Sequence, residues 1–186
     1  MLTVRPRRIT AEKFLRLRDH DQPMELVRGR IETMMMPAPR HGFYCVRAAV
    51  IAHEYASKHK AGRVISNDSG VITERDPDTV RGADVAFYSY KRVAKGKMPK
   101  GYFPAPPEVI FEVRSPTDRM GRILKKMGEY LAVGVLAVCL IDPDRETITV
   151  FEEELPPRIL RKSATLELPK ILPGFRVPVA RFFDED

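Results

Sequence analysis

Apolar side chains recur along this chain with two different periods, and the places where one period gives way to the other sketch its elements. Thr10 stands where it can cap a short helix over residues 10–18, with Phe14, Leu15 and Leu17 on the apolar side. MELV and RIETMM flank Arg28-Gly29, which predicts a hairpin over 24–36 with a two-residue turn, closed by Pro37 and Pro39. Tyr44, Ala48, Ile51 and Tyr55 follow a helical period, so 41–60 reads as a long amphipathic helix, with Gly62 as the residue that ends it. Two short strands are predicted at 63–66 and 70–74. After the turn-rich DPDTVRG come the strand DVAFY, a basic loop, and the strand PEVIFEVRS between Pro106-Pro107 and Pro116. Asp118 is placed to cap a second long helix that runs to Ala132 and ends at Gly134. The unbroken apolar run VLAVCLID predicts a strand covered on both faces, with ETITVF returning beside it across the DPDR turn. This order describes an α+β domain with one mixed sheet and helices packed on its faces.

Composition narrows the class without naming it. A chain of 186 residues accommodates one domain over 1–186, in which 151–186 reads as short strands and a tail. Cys45 and Cys139 lie in apolar runs without Cys-x-x-Cys spacing and, on this reading, without a histidine at ligand spacing, so both are expected to be buried thiols. The longest apolar stretch, 131–141, is about half of a membrane span. The N-terminal MLTVRPRRITAEKF has no apolar export core, which makes a cytoplasmic protein the expectation. Lys and Arg number 32 against 25 Asp and Glu, a balance of +7 that favours a polyanionic partner.

The candidate chemistry sits on the strands. Alternation along PEVIFEVRS puts Val109, Phe111 and Val113 on one face and Ile110, Glu112 and Arg114 on the other. Glu112 therefore stands within an apolar strand, where a carboxylate needs a cation, a metal or a set of donors. Asp84 opens the strand DVAFY, and neighbouring strands would bring the two carboxylates to one sheet edge. Two acids at close range repel unless a divalent cation lies between them, and a hard, oxygen-rich site suits Mg2+ or Mn2+. Lys126, one turn before Tyr130 on the second helix, can reach back to that edge, while Lys125 points about 100° away. The competing reading is a structural ion pair, with Arg114 or Lys126 neutralising Glu112.

The set ELVRGRI with Glu25, His41-Gly42, ADVAFY with Asp84, PPEVIFEVRSPTDR with Glu112, Lys126 with Tyr130, Gly134-Val135 and IDPD resembles the bacterial Uma2 family of restriction-endonuclease-like domains, within the PD-(D/E)XK nuclease superfamily. The resemblance runs over about residues 10–150. It implies a restriction-endonuclease-like fold, a magnesium-dependent phosphodiesterase site with Asp84 and Glu112 as metal-binding acids, Lys126 as the catalytic lysine moved from strand to helix, and a homodimer. Glu25 matches an N-terminal acidic position that contributes to the metal site. His41 either supports the site or caps and packs its helix, with Tyr130 beside Lys126. Ala83 replaces the usual proline, no tryptophan follows the second helix, and Arg114 holds the lysine position of Glu-x-Lys, where it can bind phosphate but cannot act as a base.

Lys91, Arg92, Lys95, Lys97 and Lys100 form a loop without acids, flanked by Tyr88, Tyr90, Tyr102 and Phe103. Cations neutralise phosphates and aromatic rings stack on unpaired bases, so this loop is expected to touch a nucleic acid, DNA foremost, together with Arg114 and Arg119. A mobile, solvated loop is the competing reading. The expected function is a metal-dependent endonuclease. The alternative is a nuclease fold kept as a non-catalytic nucleic-acid or protein-binding module, in which Arg114 neutralises Glu112, and a purely structural dimerisation domain is a third reading.

Overall fold

The structure, a computed structural model, describes residues 8–17 and 22–185. Thr10 caps α1 (Ala11–Arg16) by accepting from the Lys13 N–H. The helix stops before the expected Arg18, since Leu17 is already extended as its C-cap; Arg18 itself and the start of the N-terminal segment lie outside the described residues. Arg28 and Gly29 take φ of 48° and 74°, the geometry of a two-residue hairpin turn, and join β1 (Met24–Val27) to β2 (Arg30–Thr33).

α2 (Pro39–His59) lays Tyr44, Ala48, Ile51, Ala52 and Tyr55 on the sheet. It ends on Lys60, left-handed at φ 49°, and not on Gly62 as expected. Gly62 is instead the first residue of β3 (Gly62–Glu74), where a Cβ would meet the Tyr88 carbonyl oxygen at 2.2 Å. The close approach of β3 to its neighbour demands glycine there. Gly62→Ala is accordingly expected to destabilise the fold by about 2–3 kcal/mol, because backbone on the facing strand must shift; a urea unfolding midpoint equal to wild type would contradict this.

The two short strands expected at 63–66 and 70–74 are one bent strand. Its register slips between Ser66 and Ser69, where Asn67 and Asp68 both have positive φ and form a bulge. β4 (Thr79–Ser89) is also longer than DVAFY, because the turn in DPDTVRG is confined to residues 75–78 and Val80, Arg81 and Gly82 already pair with β3. β5 (Val109–Val113) follows, then α3 (Met120–Ala132), β6 (Ala137–Asp142), β7 (Thr147–Glu152) and β8 (Arg158–Arg161). Asp118 does not cap α3: its carboxylate accepts from the Ser115 N–H and closes the preceding turn, leaving Arg119 next to the helix. β9 (Thr165–Glu167), β10 (Arg176–Pro178) and α4 (Ala180–Phe183) complete the chain.

The main sheet runs β2-β1-β4-β5-β6-β7-β8, with β3 along the other edge of β4. β5 and β6 are parallel, connected through α3. All six residues of β6 are buried, as a strand covered on both faces requires. One face carries α2, α4 and the β9–β10 hairpin over Val85, Phe87, Phe111 and Ile141, and the other carries α3 over Ala86, Ile110, Val138 and Leu140. The segment expected as a tail supplies Leu166, Leu168, Phe175 and Phe182 to the first core.

Candidate active site

β1 and β5 meet the same edge of β4, the first at Val80 and the second from Val85 to Phe87. Between them, residues 81–84 face no strand on that edge. Buried backbone groups still require partners, and side chains supply them. The Gly82 N–H donates to Glu25 Oε1 (3.0 Å), the Tyr130 hydroxyl donates to the Gly82 carbonyl (3.0 Å), and the Val113 N–H donates to Asp84 Oδ2 (2.6 Å). The gap in the ladder is thus where polar residues enter an apolar sheet.

The antiparallel register pairs Val85 with Phe111, so Asp84 and Glu112 are the next residues beyond the last paired ones on the two strands. Both are buried. Lys126 Nζ donates to Glu112 Oε2 at 2.8 Å and stands 3.5 Å from Glu25 Oε1, while the Tyr130 hydroxyl, 3.0 Å from Glu112 Oε1, shares its one proton between that oxygen and the Gly82 carbonyl. Burial pushes the Glu112 carboxyl up to about 8, against the lowering by Lys126 and with a further raising by Asp84. Burial works against the Lys126 charge, but Glu112, Glu25 and Asp84 outweigh it and hold the ammonium protonated. Lys125 points to solvent, as its position on the helix predicts.

Asp84 has its own cation. His41, in the first turn of α2, brings Nε2 to 3.4 Å from Asp84 Oδ2. Burial alone would raise Asp84, yet the His41 hydrogen bond and the Lys126 charge hold it below the usual carboxylate range; His41 in turn is pushed up to about 11, by Asp84 first and Cys45 second. Cys45 is half-buried, not buried as expected, with Sγ 3.4 Å from His41 Nδ1. The expectation that no histidine lies at ligand spacing fails here, since His41 and Cys45 are one helical turn apart. Asp68, an exposed residue of the β3 bulge, has its carboxyl held above the usual range by partial desolvation and by Asp84.

Other expected residues are placed elsewhere. Glu25, expected as a metal ligand, is hydrogen-bonded to Arg81 (2.7 Å) and to Gly82, and among the described residues Glu25, Asp84 and Glu112 do not gather within reach of one ion. Arg114 does not neutralise Glu112: its Nη1 lies 2.7 Å from Asp142 Oδ2 beyond the end of β5. Arg92 is spent inside the protein, donating to the carbonyls of Pro106, Pro107 and Gly134 and pairing with Glu108. The loop that carries it leaves β4 at Ser89, five residues and about 17 Å from Asp84. Lys91, Lys95, Lys97 and Lys100 are exposed at that remote end, and the flanking rings face inward: Tyr88 stacks on Phe103 at 4.1 Å, Tyr90 lies under Arg63, and Tyr102 packs over Gly70. Arg119 is exposed beside the start of α3, along with Arg122 and Lys125, on the helix that delivers Lys126.

Comparison with known proteins matches residues 11–180 to the Uma2 family, described as "Putative restriction endonuclease". The chain belongs to the Uma2 family. The match reaches beyond the limit of about residue 150 expected from the motifs, in keeping with the tail's place in the core. The Uma2 chain also shares its fold with the crystal structure of a "putative nuclease belonging to DUF820" from Anabaena variabilis, at 18% identity and a TM-score of 0.80, covering 94% of this chain and 97% of that one. The architecture is restriction-endonuclease-like. No curated protein matches the chain. Among the described residues, no helix is long and apolar enough to cross a membrane.

Sequence reasoning missed Arg81, Asp68 and Cys45. Arg81 was hidden in a stretch read as turn. Asn67-Asp68, between two strand patterns, carried the signal of a bulge, and the four-residue spacing of Cys45 from His41 was present in the helix pattern.

Proposed function

We propose that this Uma2 chain hydrolyses phosphodiester bonds in nucleic acid, DNA foremost, with a divalent ion, Mg2+ or Mn2+, held by Asp84 and Glu112. One observation carries the reading. Two buried carboxylates stand on neighbouring strands, β4 and β5, beside the gap in the ladder, with an ammonium 2.8 Å from one of them. A simple ion pair needs one acid, whereas Lys126 is surrounded by the fields of Glu112, Glu25 and Asp84. Hard carboxylate oxygens of this kind fit magnesium or manganese. When bound, the ion neutralises charge developing on the phosphoryl group and lowers the pKa of water.

The chain's own residues supply the remainder. Tyr130 and Lys126 orient Glu112, and the Val113 N–H and His41 orient Asp84; binding a divalent ion requires the Lys126 ammonium to leave Glu112, with Glu25 Oε1 3.5 Å away to receive it. Lys126, held protonated, orients the attacking water or stabilises the phosphate charge; it is no base. Arg119, Arg122 and Lys125 give the approach to the site its positive charge.

Cleavage of plasmid and single-stranded DNA in Mg2+ or Mn2+ tests the proposal: wild type is expected to cut and Asp84→Asn to fail. Equal cutting by both would expose a contaminant and remove the support. Metal loading carries a second test, through pH. The folded chain holds the Glu112 proton more tightly than the unfolded chain, whose carboxyl titrates near 4.5. The metal-free fold therefore loses this contribution as pH rises from 4.5 to about 8, and a bound divalent ion offsets the loss. The rise in Tm on adding Mg2+ is expected to be larger at about pH 9 than at about pH 6. An equal rise at both values would show that Glu112 does not hold the ion.

A non-catalytic binding module has one observation in its favour, because each acid already has a protein cation, Lys126 on Glu112 and His41 on Asp84. It predicts salt-sensitive DNA retention, no strand cleavage and no metal-dependent rise in Tm.

A further inference from the structure

We propose that His41, Cys45 and Asp84 form a second metal site, selective for a borderline transition ion, zinc foremost, which shares Asp84 with the two-carboxylate site and adds a nitrogen and a sulfur donor. His41 and Cys45 lie one turn apart on α2, on the same helix face, and Asp84 reaches them from β4. Sγ is 3.4 Å from Nδ1, Nε2 is 3.4 Å from Oδ2, and one ligand atom from each residue falls within 4.8 Å of the other two. Zinc bonds of about 2.0–2.3 Å at tetrahedral angles place ligand atoms about 3.3–3.8 Å apart, so a set gathered within 4.8 Å must draw in by up to about 1 Å. An imidazole gives one nitrogen to one ion, and rotation about the His41 Cβ–Cγ bond turns that nitrogen to the centre of the set.

The surroundings leave room for the ion. A groove of about 540 Å³ along α2 and β3 is lined by His41, Cys45, Asp68 and Asp84, which gives an entry path. Asp68 lines the same groove but is not among the gathered ligand atoms, so a water completes the fourth position. Sulfur and imidazole donors select zinc or cobalt over magnesium, which prefers oxygen. Glu112 takes no part, because it is not among the residues whose ligand atoms gather within 4.8 Å of one another. Binding releases the thiol proton and one imidazolium proton to the buffer, and no electron moves.

Titration of the purified full chain with Co2+ tests the site by absorption, without substrate. One equivalent is expected to give visible d–d bands and a near-ultraviolet thiolate-to-cobalt band, both removed by one equivalent of Zn2+. Cys45→Ser is expected to lose the near-ultraviolet band, while Cys139→Ser, altering the core thiol, retains it. Glu112→Gln is expected to retain it too, which separates this site from the proposed nuclease centre. Absence of the band in wild type, or its survival in Cys45→Ser, would overturn the inference.

Discussion

Glu112→Gln is expected to lower metal-dependent cleavage by about 10²–10³-fold or more while leaving the chain folded. The amide keeps the shape of the side chain and an oxygen for the Tyr130 hydroxyl, but carries no charge to hold a divalent ion. Lys126 is not stranded, since Glu25 Oε1 lies 3.5 Å from its Nζ and takes up the released ammonium. Single-turnover cleavage rates, paired with the Mg2+-induced rise in Tm, separate loss of metal from loss of fold. A variant that cut within about threefold of wild type would move the metal away from Glu112 and leave the acid a structural partner of Lys126 and Tyr130.

The largest loss of stability is expected at a residue outside the chemistry. Arg81 is buried between two carboxylates, with Nη1 2.7 Å from Glu25 and Nε 2.6 Å from Glu129. Arg81→Ala removes the cation and leaves Glu25 buried beside the Gly82 N–H without its partner. Stranding a buried charge costs about 3–5 kcal/mol, far more than loss of an exposed pair. The urea midpoint measures this directly. A loss below about 1 kcal/mol would mean that Glu25 relaxes onto Lys126 at no cost, and the two clusters would then be one.

The elements most legible in the sequence were those set by local period. Alternation along PEVIFEVRS placed Glu112 on the α3 face, opposite Phe111, and VLAVCLID declared a strand covered twice. What escaped was set by residues far apart in the chain. Gly62 looked like a helix stop because the Tyr88 carbonyl that crowds it lies 26 positions away. Arg81 and Gly82 looked like turn because the carboxylate that satisfies them arrives from Glu25 on a different strand. The remote position of the basic loop was within reach of reasoning, however. In an antiparallel pair with Asp84 at the start of one strand and Glu112 at the end of the next, the connection must leave from the opposite end.

Lys126 rides on α3, not on the strand that bears Glu112, and this places the site under a different kind of control. α3 is seated by a short apolar stripe, Ile123, Met127 and Tyr130, over Ala86, Ile110 and Val138. Local opening of that single helix withdraws the ammonium and the Tyr130 hydroxyl from Glu112 together, while Asp84 keeps His41. The exchange rate of the α3 amides with solvent deuterium then reports the fraction of molecules in which the site is assembled, and anything that clamps or lifts the helix sets that fraction.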